Sequence, residues 1–231
     1  MDNIGRFLHN WVRAPWEVGA LVPSGRLLAR LMAANVRPGA RVIELGAGTG
    51  NVTRALLDSG VRPEDLYMVE QNEEFAAILR HRFPRSPVIQ GDACSLADHM
   101  ADLPAAFDFI ISGLPLLLFP RSQKLRLLSQ AFALLRTDGY FHQFTYGARC
   151  PVGREICSLL RLASSLIGFT PFNLPPAFVY RLSRMSDSNI EIPHARRRHQ
   201  WSYEKRISLP TINVVLSERD VQRLSRKLGT K

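Results

Sequence analysis

The chain has 231 residues, of which 46% are hydrophobic and 22% charged, which suits one α/β domain with a packed core and excludes an intrinsically disordered protein. The formal net charge of +10 favours a polyanionic partner, either nucleic acid or an anionic membrane surface. The three cysteines lack CxxC spacing, which argues against a disulfide framework and a structural zinc site and fits a reducing cytoplasm.

The first predicted element is an amphipathic helix over residues 3–13. Its apolar side chains recur with a helical period, and Pro15 ends the pattern. Because Phe7 and Trp11 lie close to Arg6 and Arg13 in the sequence, this helix suits the plane of a membrane interface. The same stripe of apolar residues also suits packing on a sheet, and the period by itself does not separate the two.

A second helix is predicted after Pro23, with Ser24 as its N-cap. Its predicted buried face consists of Leu27, Leu28, Leu31 and Met32. Short apolar runs then alternate with helical periods, which predicts a mainly parallel sheet with helices on both faces. The predicted strands are 41–45, 66–70, 88–90, 107–112, 140–146 and 177–182, and the predicted helices among them are 51–59, 73–83, 123–135 and 156–167.

Three regions follow from these patterns. Residues 1–35 form the N-terminal helical region, residues 36–183 the α/β domain, and residues 184–231 a basic tail. The tail carries eleven Lys and Arg residues against five Asp and Glu residues. Its Arg196-Arg197-Arg198 run suits attraction to an anionic surface, and a solvated extension explains the same composition equally well.

A glycine-rich loop follows the first predicted strand. Glu44 precedes Gly46, Gly48 and Gly50 in a G-x-G-x-G pattern, and glycine is needed where a backbone turns sharply and approaches a ligand. The loop departs from the dinucleotide pattern G-x-G-x-x-G, whose third glycine would fall at Asn51. A P-loop is excluded because no Gly-Lys-Ser/Thr follows.

Acidic residues stand at the predicted carboxyl ends of three successive strands, namely Glu44, Glu70 and Asp92. Ends of parallel strands meet at one edge of a sheet, which brings these carboxylates together. The order and spacing resemble those of the class I methyltransferases, whose cofactor is S-adenosylmethionine. The resemblance implies that Glu70 accepts hydrogen bonds from the ribose hydroxyls and that Asp92 accepts one from the adenine amine. It also implies that Glu44 faces the cofactor's amino group and that the three glycines of the loop bind the cofactor.

The acceptor side is compared first with the adenine dimethyltransferases of ribosomal RNA. Those enzymes place Asn-Leu-Pro-Tyr, or a close variant, after the fourth strand, and the aromatic residue stacks on the base. Here Gly113 and Leu116 replace the amide and the aromatic residue. Losing such a stack forfeits about 1–3 kcal/mol per base. This loss disfavours an RNA adenine methyltransferase of the same fold, which is kept as the alternative hypothesis because the tail is basic.

The sequence resembles more closely the bacterial phospholipid N-methyltransferases, over nearly all of residues 4–182. The matching segments are Trp16, Gly19-Ala20 through Pro23-Ser24, Glu44–Gly50, Ser112–Leu116, Gln143–Gly147 and Asn173–Ala177. The resemblance implies transfer of up to three methyl groups to phosphatidylethanolamine, towards phosphatidylcholine. Gly25 departs from the family pattern, in which a second Ser is common.

Candidate residues for the acceptor site follow from these segments. Ser112 is expected at the cofactor. Ser24, Leu114, Tyr146 and Arg149 are expected at the acceptor, with Tyr146 as the catalytic candidate in contact with the amine and Arg149 at the lipid phosphate. Trp16, Phe144 and Tyr146 suit a cation-binding aromatic wall, or alternatively the core. His142 is interpreted as a hydrogen-bonded strand residue rather than as a general base.

The expected partners are a phospholipid substrate and an anionic membrane surface, without nucleic acid and without metal. No signal peptide pattern is visible, and no run approaches 18 apolar residues. The sequence therefore predicts a cytoplasmic protein held peripherally at the inner face of the cell membrane.

Overall fold

A computed structural model describes residues 23–100, 106–171 and 176–185. The predicted helix over residues 3–13, Trp16 and nearly all of the basic tail lie outside these described residues. The helices are α1 (Pro23–Met32), α2 (Asn51–Asp58), α3 (Glu73–Arg82), α4 (Leu96–His99), α5 (Arg121–Leu134) and α6 (Arg154–Leu159). The strands are β1 (Val42–Leu45), β2 (Leu66–Glu70), β3 (Val88–Gln90), β4 (Phe107–Ser112), β5 (Leu135–Thr145), β6 (Leu162–Thr170) and β7 (Ala177–Arg184).

The strands form one seven-stranded sheet in the order β3-β2-β1-β4-β5-β7-β6. The first five strands are parallel, and β7 runs antiparallel to both of its neighbours. The strand order reverses between β1 and β4, which opens a crevice at their carboxyl ends where such sheets bind ligands. The predicted α/β fold, a mainly parallel sheet with helices on both faces, is confirmed, and it is Rossmann-like.

Two apolar layers cover the two faces of the sheet. One contains Ile43, Ile110 and Phe141, and the other contains Val42, Ile111 and Phe144. Neighbouring residues of a strand point to opposite faces, so both layers draw on the same strands. All four residues of β1 are buried, as expected for the centre of a parallel sheet.

The predicted helix over residues 156–167 is wrong in its second half. The helix α6 ends at Leu159, Arg161 adopts a positive φ of 51° that stops the helical path, and β6 begins at Leu162. The strand then pairs with β7 along its length, from Leu162 to Thr170. The sequence period suits either structure in this segment, and only pairing with β7, as between Leu162 and Arg184, decides between them.

The second predicted helix exists, with two corrections. It begins at Pro23, a residue suited to the first helical position, so Ser24 lies within the first turn instead of capping it. Leu27 is 41% exposed, and Ala29 takes its place on the buried face with Leu28 and Met32. The helix thus presents a narrower apolar stripe to the sheet than the sequence period predicts.

Candidate active site at the carboxyl edge of the sheet

The centre of the site is a row of three residues on neighbouring strands. Leu45 pairs with Ser112, and Ser112 pairs with Gln143, so β1, β4 and β5 end at nearly the same height. The segments that follow these strands all leave from the crevice edge. This register brings the predicted cofactor and acceptor segments side by side.

The glycine loop turns directly after β1. Gly46 and Gly48 have positive φ angles of 69° and 55°, a region that side chains rarely adopt. A Cβ atom on Gly46 would lie 2.9 Å from Leu114 Cδ2, whereas nothing lies within 4 Å of one on Gly48. The loop is therefore packed on the acceptor segment at Gly46 and open to a ligand at Gly48. The third glycine, Gly50, is buried under Phe83.

Glu70, the last residue of β2, holds the glycine loop in place. Its Oε2 accepts a hydrogen bond from the N–H of Gly48 at 2.8 Å, and its Oε1 accepts one from the N–H of Asn72 at 2.9 Å. Each carboxylate oxygen can accept more than one hydrogen bond. The Glu70 carboxylate can therefore accept further hydrogen bonds from hydroxyl donors at the open side of Gly48.

Glu44 is a buried acid on β1, the middle one of the five parallel strands, and is only 2% exposed. Thr53 of α2 donates from Oγ1 to Glu44 Oε2 at 2.7 Å. Burial raises the pKa of Glu44 to about 8, the Thr53 hydrogen bonds lower it, and the nearby Glu70 charge raises it. Within the described ranges Glu44 forms no ion pair, so a cationic group at this site would stabilise its ionised form.

Asp92 lies two residues beyond β3 and is exposed. Its Oδ1 accepts a hydrogen bond from the N–H of Cys94 at 2.8 Å, which caps the 3₁₀ turn Ala93–Ser95. Oδ2 is the oxygen left to receive an external donor. The three predicted acids thus lie at or near the carboxyl ends of three adjacent strands: Glu44 is the last residue but one of β1, Glu70 ends β2, and Asp92 follows β3.

The predicted acceptor segment, residues 112–116 at the end of β4 and beyond it, is hydrogen-bonded to the end of β1 and packed on the glycine loop. The N–H of Gly113 donates to the carbonyl oxygen of Leu45 at 2.8 Å, and a Cβ atom on Gly113 would lie 2.8 Å from the carbonyl oxygen of Gly46. Any side chain at position 113 would therefore displace backbone. Ser112 is fully buried, and its Oγ accepts a hydrogen bond from the N–H of Leu114 at 3.3 Å.

Two residues of the site escaped the sequence reasoning. Gln143 Nε2 donates to the carbonyl oxygens of Leu114 at 2.8 Å and Phe144 at 2.7 Å, while its Oε1 finds no partner among the described residues. Thr53 holds Glu44 as described above. Gln143 belongs to a segment that resembles the phospholipid N-methyltransferases, but the sequence alone predicts no role for it. Nothing in the sequence links Thr53 to an acid nine positions earlier.

Tyr146 directly follows β5 and is partly buried, with its ring packed edge-to-face against Phe144 at 5.5 Å. Phe144 itself is 6% exposed and belongs to the core, which favours the core alternative over the aromatic wall for this residue. Arg149 is exposed three residues further along. The chain thus brings Tyr146 near the cofactor edge and leaves Arg149 on the surface.

His142 is fully buried, and its Nδ1 lies 3.0 Å from the carbonyl oxygen of Met32. Burial lowers the pKa of His142 to about 4. The ring is therefore neutral near pH 7, and Nδ1–H joins β5 to the end of α1 as a donor. This agrees with its interpretation as a hydrogen-bonded strand residue.

Other expectations are reached only in part. The backbone of Ser24 is in α1, but its side chain is not among those described, so its acceptor role stays a prediction. No cluster of three His, Cys, Asp or Glu side chains capable of holding a metal ion occurs in the described ranges. In the same ranges, no helix has the length and apolar character to cross a bilayer.

A sequence family described as a methyltransferase domain matches residues 42–139 of this chain. The ornithine lipid N-methyltransferase of Singulisphaera acidiphila is 31% identical over 187 residues, which are 78% of this chain and 95% of that protein. The match to that protein includes regions outside the methyltransferase domain, since it is longer than residues 42–139.

Solved structures with the same fold include methyltransferases crystallised with the cofactor or its product. The 1,6-didemethyltoxoflavin-N1-methyltransferase of Burkholderia thailandensis, with bound S-adenosylhomocysteine, has a TM-score of 0.57 at 20% identity and covers 78% of this chain and 86% of its own. The magnesium protoporphyrin IX methyltransferase of Synechocystis PCC 6803, with bound S-adenosylmethionine, has a TM-score of 0.56 at 14% identity and covers 80% and 98%. At these identities the likeness establishes the fold.

The cofactor is S-adenosylmethionine, and the site fits it in two respects. Gly48 leaves open space where the backbone meets a ligand, and Glu44 offers a buried carboxyl to a cationic group. The site, the methyltransferase domain and the lipid-methylating relative agree with one another. The chain belongs to the class I S-adenosylmethionine-dependent methyltransferases, in the same family as the ornithine lipid N-methyltransferase of Singulisphaera acidiphila.

Proposed function

We propose that this protein transfers methyl groups from S-adenosylmethionine to the head-group amine of a membrane lipid. Phosphatidylethanolamine and its mono- and dimethyl forms are the proposed acceptors, with phosphatidylcholine as the end product. The relative from Singulisphaera is named for ornithine lipid, which also presents an amine, so ornithine lipid is the acceptor to compare.

One observation carries the proposal: the apolar segment at Leu114 lies directly on the glycine loop. Its side chain reaches 2.9 Å from the position of a Cβ on Gly46, and Gln143 holds its carbonyl oxygen at 2.8 Å. An apolar floor beside the donor suits an acceptor whose reacting end is a single small amine. The 31% identity to a lipid N-methyltransferase supports the same acceptor class.

The donor side assigns a role to each acid. Bound S-adenosylmethionine supplies an activated methyl group. Glu44 pairs with its amino group, Glu70 accepts from the ribose hydroxyls, and Asp92 accepts from the adenine amine. Gly48 allows the backbone to approach closely, as its open side suggests.

The acceptor side must present a neutral amine about 3–3.5 Å from the methyl carbon and in line with its bond to sulfur. Partial desolvation lowers the pKa of an ammonium and favours loss of its proton. Tyr146 is the proposed catalytic contact of the amine, with Ser112 and Leu114 as the floor. Ser24 and the exposed Arg149 are the proposed contacts of the remaining head group, with Arg149 at the phosphate.

The same segment speaks against an RNA base as the acceptor. Recognition of adenine in that enzyme class uses an amide where this chain has Gly113. A Cβ atom there would lie 2.8 Å from the Gly46 carbonyl oxygen, so this backbone has no room for an amide side chain. A lipid amine makes no such demand.

A lipid acceptor places the protein at a membrane surface. We propose peripheral attachment at the inner face of the cell membrane, through residues 3–13, for which the sequence predicts an amphipathic helix, and through the basic tail. Removal of residues 1–13 is expected to weaken binding to anionic vesicles.

Transfer of labelled methyl from S-adenosylmethionine tests the proposal. The acceptors are vesicles of phosphatidylethanolamine, vesicles of ornithine lipid and purified RNA, each supplied separately. We expect label in phosphatidylethanolamine as mono-, di- and trimethyl forms. Label in RNA but in neither lipid would contradict the proposal, and label in ornithine lipid alone would replace the acceptor while keeping the class.

A matched pair of variants ties the activity to this site. Glu70→Ala removes the carboxylate that holds Gly48, and we expect at least about a 100-fold loss of transfer, equal to roughly 2.7 kcal/mol. Glu73→Ala alters an exposed acid of the neighbouring helix and should change transfer by less than about twofold. Circular dichroism confirms that both variants are folded. Equal activity in the two variants would show that the reaction does not take place in this crevice.

A further inference from the structure

Five large apolar side chains are exposed within the described residues: Leu27, Leu117, Leu118, Leu159 and Met185. Single exposed apolar residues are common and need no explanation. Leu117 and Leu118 differ because they are adjacent in the chain, 40% and 42% exposed, and lie in one turn after β4.

This pair of leucines lies at the carboxyl edge of the sheet, beside the proposed acceptor site. It follows Ser112 by five and six residues, and a Cβ atom on Gly147 would lie 4.0 Å from Leu117 Cδ1. Gly147 directly follows Tyr146. The leucines are therefore neighbours of the segment proposed to contact the amine.

Core packing and backbone hydrogen bonds hold the turn that carries the leucines. Leu116 is 1% exposed and anchors the turn in the core. The N–H of Leu118 donates to the carbonyl oxygen of Pro115 at 2.9 Å, and that of Phe119 to Leu116 at 3.2 Å. Because the backbone of this turn is already fixed, its apolar side chains lose little conformational freedom when they leave water for an apolar environment.

The surface around the pair is basic. The two segments at this edge, residues 113–126 and 146–155, contain five Lys and Arg residues and a single acid, Glu155. Arg121 lies 3.4 Å from that acid, and Lys124 Nζ donates to the carbonyl oxygen of Pro151 at 2.8 Å. These two contacts join the segments into one surface with a net positive charge.

We propose that Leu117 and Leu118 insert into the interface of an anionic lipid bilayer, while Arg121 and Arg149 contact lipid phosphates. This docking surface rests on the proposed function, because it would present a head group at the site without removing the lipid from the membrane. It is separate from the attachment proposed for residues 3–13 and for the tail. Two apolar side chains with flanking basic residues match a bilayer interface in both chemistry and charge.

A second copy of this chain fits the same surface poorly. Stable protein interfaces bury about 800 Å² on each partner, which is far more than two half-exposed leucines supply. Two copies would also bring basic surfaces against each other. An anionic bilayer, in contrast, attracts each basic residue near its surface.

The test measures sedimentation of the full-length chain with vesicles of phosphatidylglycerol and phosphatidylcholine. Leu117→Gln/Leu118→Gln removes the apolar character at nearly constant size and charge. The control is Leu159→Gln, because Leu159 is 62% exposed and precedes β6 at the opposite edge, where Leu162 pairs with Arg184. Calorimetric affinity for S-adenosylmethionine verifies the fold of each variant.

We expect the double variant to bind vesicles roughly tenfold more weakly, the control to stay within about twofold, and cofactor affinity to remain within about twofold for both. Vesicle binding of the double variant within about twofold of the parent protein would overturn the docking surface. So would dissociation of a dimer by the double variant without any change in vesicle binding. Normal leucine-dependent vesicle binding by a protein that methylates no lipid would instead contradict the proposed function alone.

Discussion

Gln143 Nε2 donates a hydrogen bond of 2.8 Å to the carbonyl oxygen of Leu114, and thereby fixes the acceptor segment to β5. The same nitrogen donates to the carbonyl oxygen of Phe144 at 2.7 Å, and the side chain is fully buried. One buried amide therefore sets the position of the segment that lies on the glycine loop. We therefore propose Gln143 as a positioning residue that acts through Leu114.

The first prediction concerns this amide. Gln143→Met keeps the volume but removes the side-chain donor to the carbonyl oxygens of Phe144 and Leu114, of which the Leu114 oxygen still accepts from the N–H of Leu116 at 2.9 Å. The loss of these two side-chain hydrogen bonds costs about 1–3 kcal/mol. We expect lower stability and a rise in KM for the lipid at nearly unchanged affinity for S-adenosylmethionine. Urea unfolding, lipid-dependent kinetics and calorimetry check the three parts.

Gln123→Met serves as its control, because Gln123 is exposed on α5. Both stability and KM should stay close to those of the parent protein. If Gln143→Met loses stability but keeps the parent KM, the amide supports the fold and does not position the acceptor.

The second prediction concerns pH and Glu44. Burial raises the pKa of this carboxyl to about 8 from an ordinary 4.5. Between these values the folded cofactor-free protein holds a proton that the unfolded chain has lost. The stability contributed by Glu44 is therefore full below pH 4.5 and decreases as the pH rises to about 8.

Glu44→Gln removes this dependence, so it should stabilise the cofactor-free protein by about 2–4 kcal/mol at pH 8 and hardly at all at pH 4. Urea unfolding at the two pH values measures the difference. Glu73→Gln, at an exposed position, should have no such pH-dependent effect. Equal stabilisation by Glu44→Gln at both pH values would contradict a raised pKa.

The third prediction links the same carboxyl to the cofactor. If the amino group of S-adenosylmethionine pairs with ionised Glu44, binding at pH 7 must release a proton, because the free site is mostly protonated. Calorimetry in two buffers of different ionisation enthalpy counts the released protons. We expect close to one proton for the parent protein and none for Glu44→Gln. Absence of release in the parent protein would place the cofactor's amino group elsewhere.

The fourth prediction concerns Gly113. Gly113→Ala places a Cβ atom 2.8 Å from the carbonyl oxygen of Gly46, so backbone must shift at a cost of about 1–3 kcal/mol. The shift also moves the glycine loop, and affinity for S-adenosylmethionine should fall. Gly147→Ala is the matched control, because its nearest atom would be Thr145 Oγ1 at 3.7 Å, and its stability should change little. Similar stability of the two variants would contradict the close approach at Gly113.

The fifth prediction concerns thiol reactivity. A hydrogen bond from the Cys157 thiol lowers the pKa of Cys150, partial burial raises it, and the N–H groups of Val152 and Gly153 lower it further, so that the pKa is lowered on balance. Burial raises the pKa of Cys94. Thiolates are the reactive form. Iodoacetamide at pH 7.5 should therefore alkylate Cys150 several-fold faster than Cys94 or Cys157, as mass spectrometry of peptides can show. Cys150→Ser should abolish the fast phase, and equal rates at all three thiols would contradict the lowered pKa.

The sequence by itself determined the features that depend on local chemistry. The glycines of the loop, the acids near the carboxyl ends of adjacent strands and the alternation of strands and helices all depend on short stretches of chain. They sufficed for the Rossmann-like fold and for S-adenosylmethionine. The roles of Glu44, Glu70 and Asp92 remain predictions that the variants above test.

Tertiary structure alone decided the features that depend on distant residues. Whether residues 162–167 form a helix or a strand was settled by pairing with β7. The partner of Glu44 is Thr53 on the next helix, and the donor to Leu114 lies 29 positions later at Gln143. The exposure of Leu117 and Leu118, in a run of apolar residues that resembles a buried strand, was fixed by the anchoring of Leu116 in the core. Such contacts form because folding excludes water and buried polar groups then need hydrogen-bond partners from elsewhere in the chain. The spacing of residues along one element does not show which distant residues these partners are.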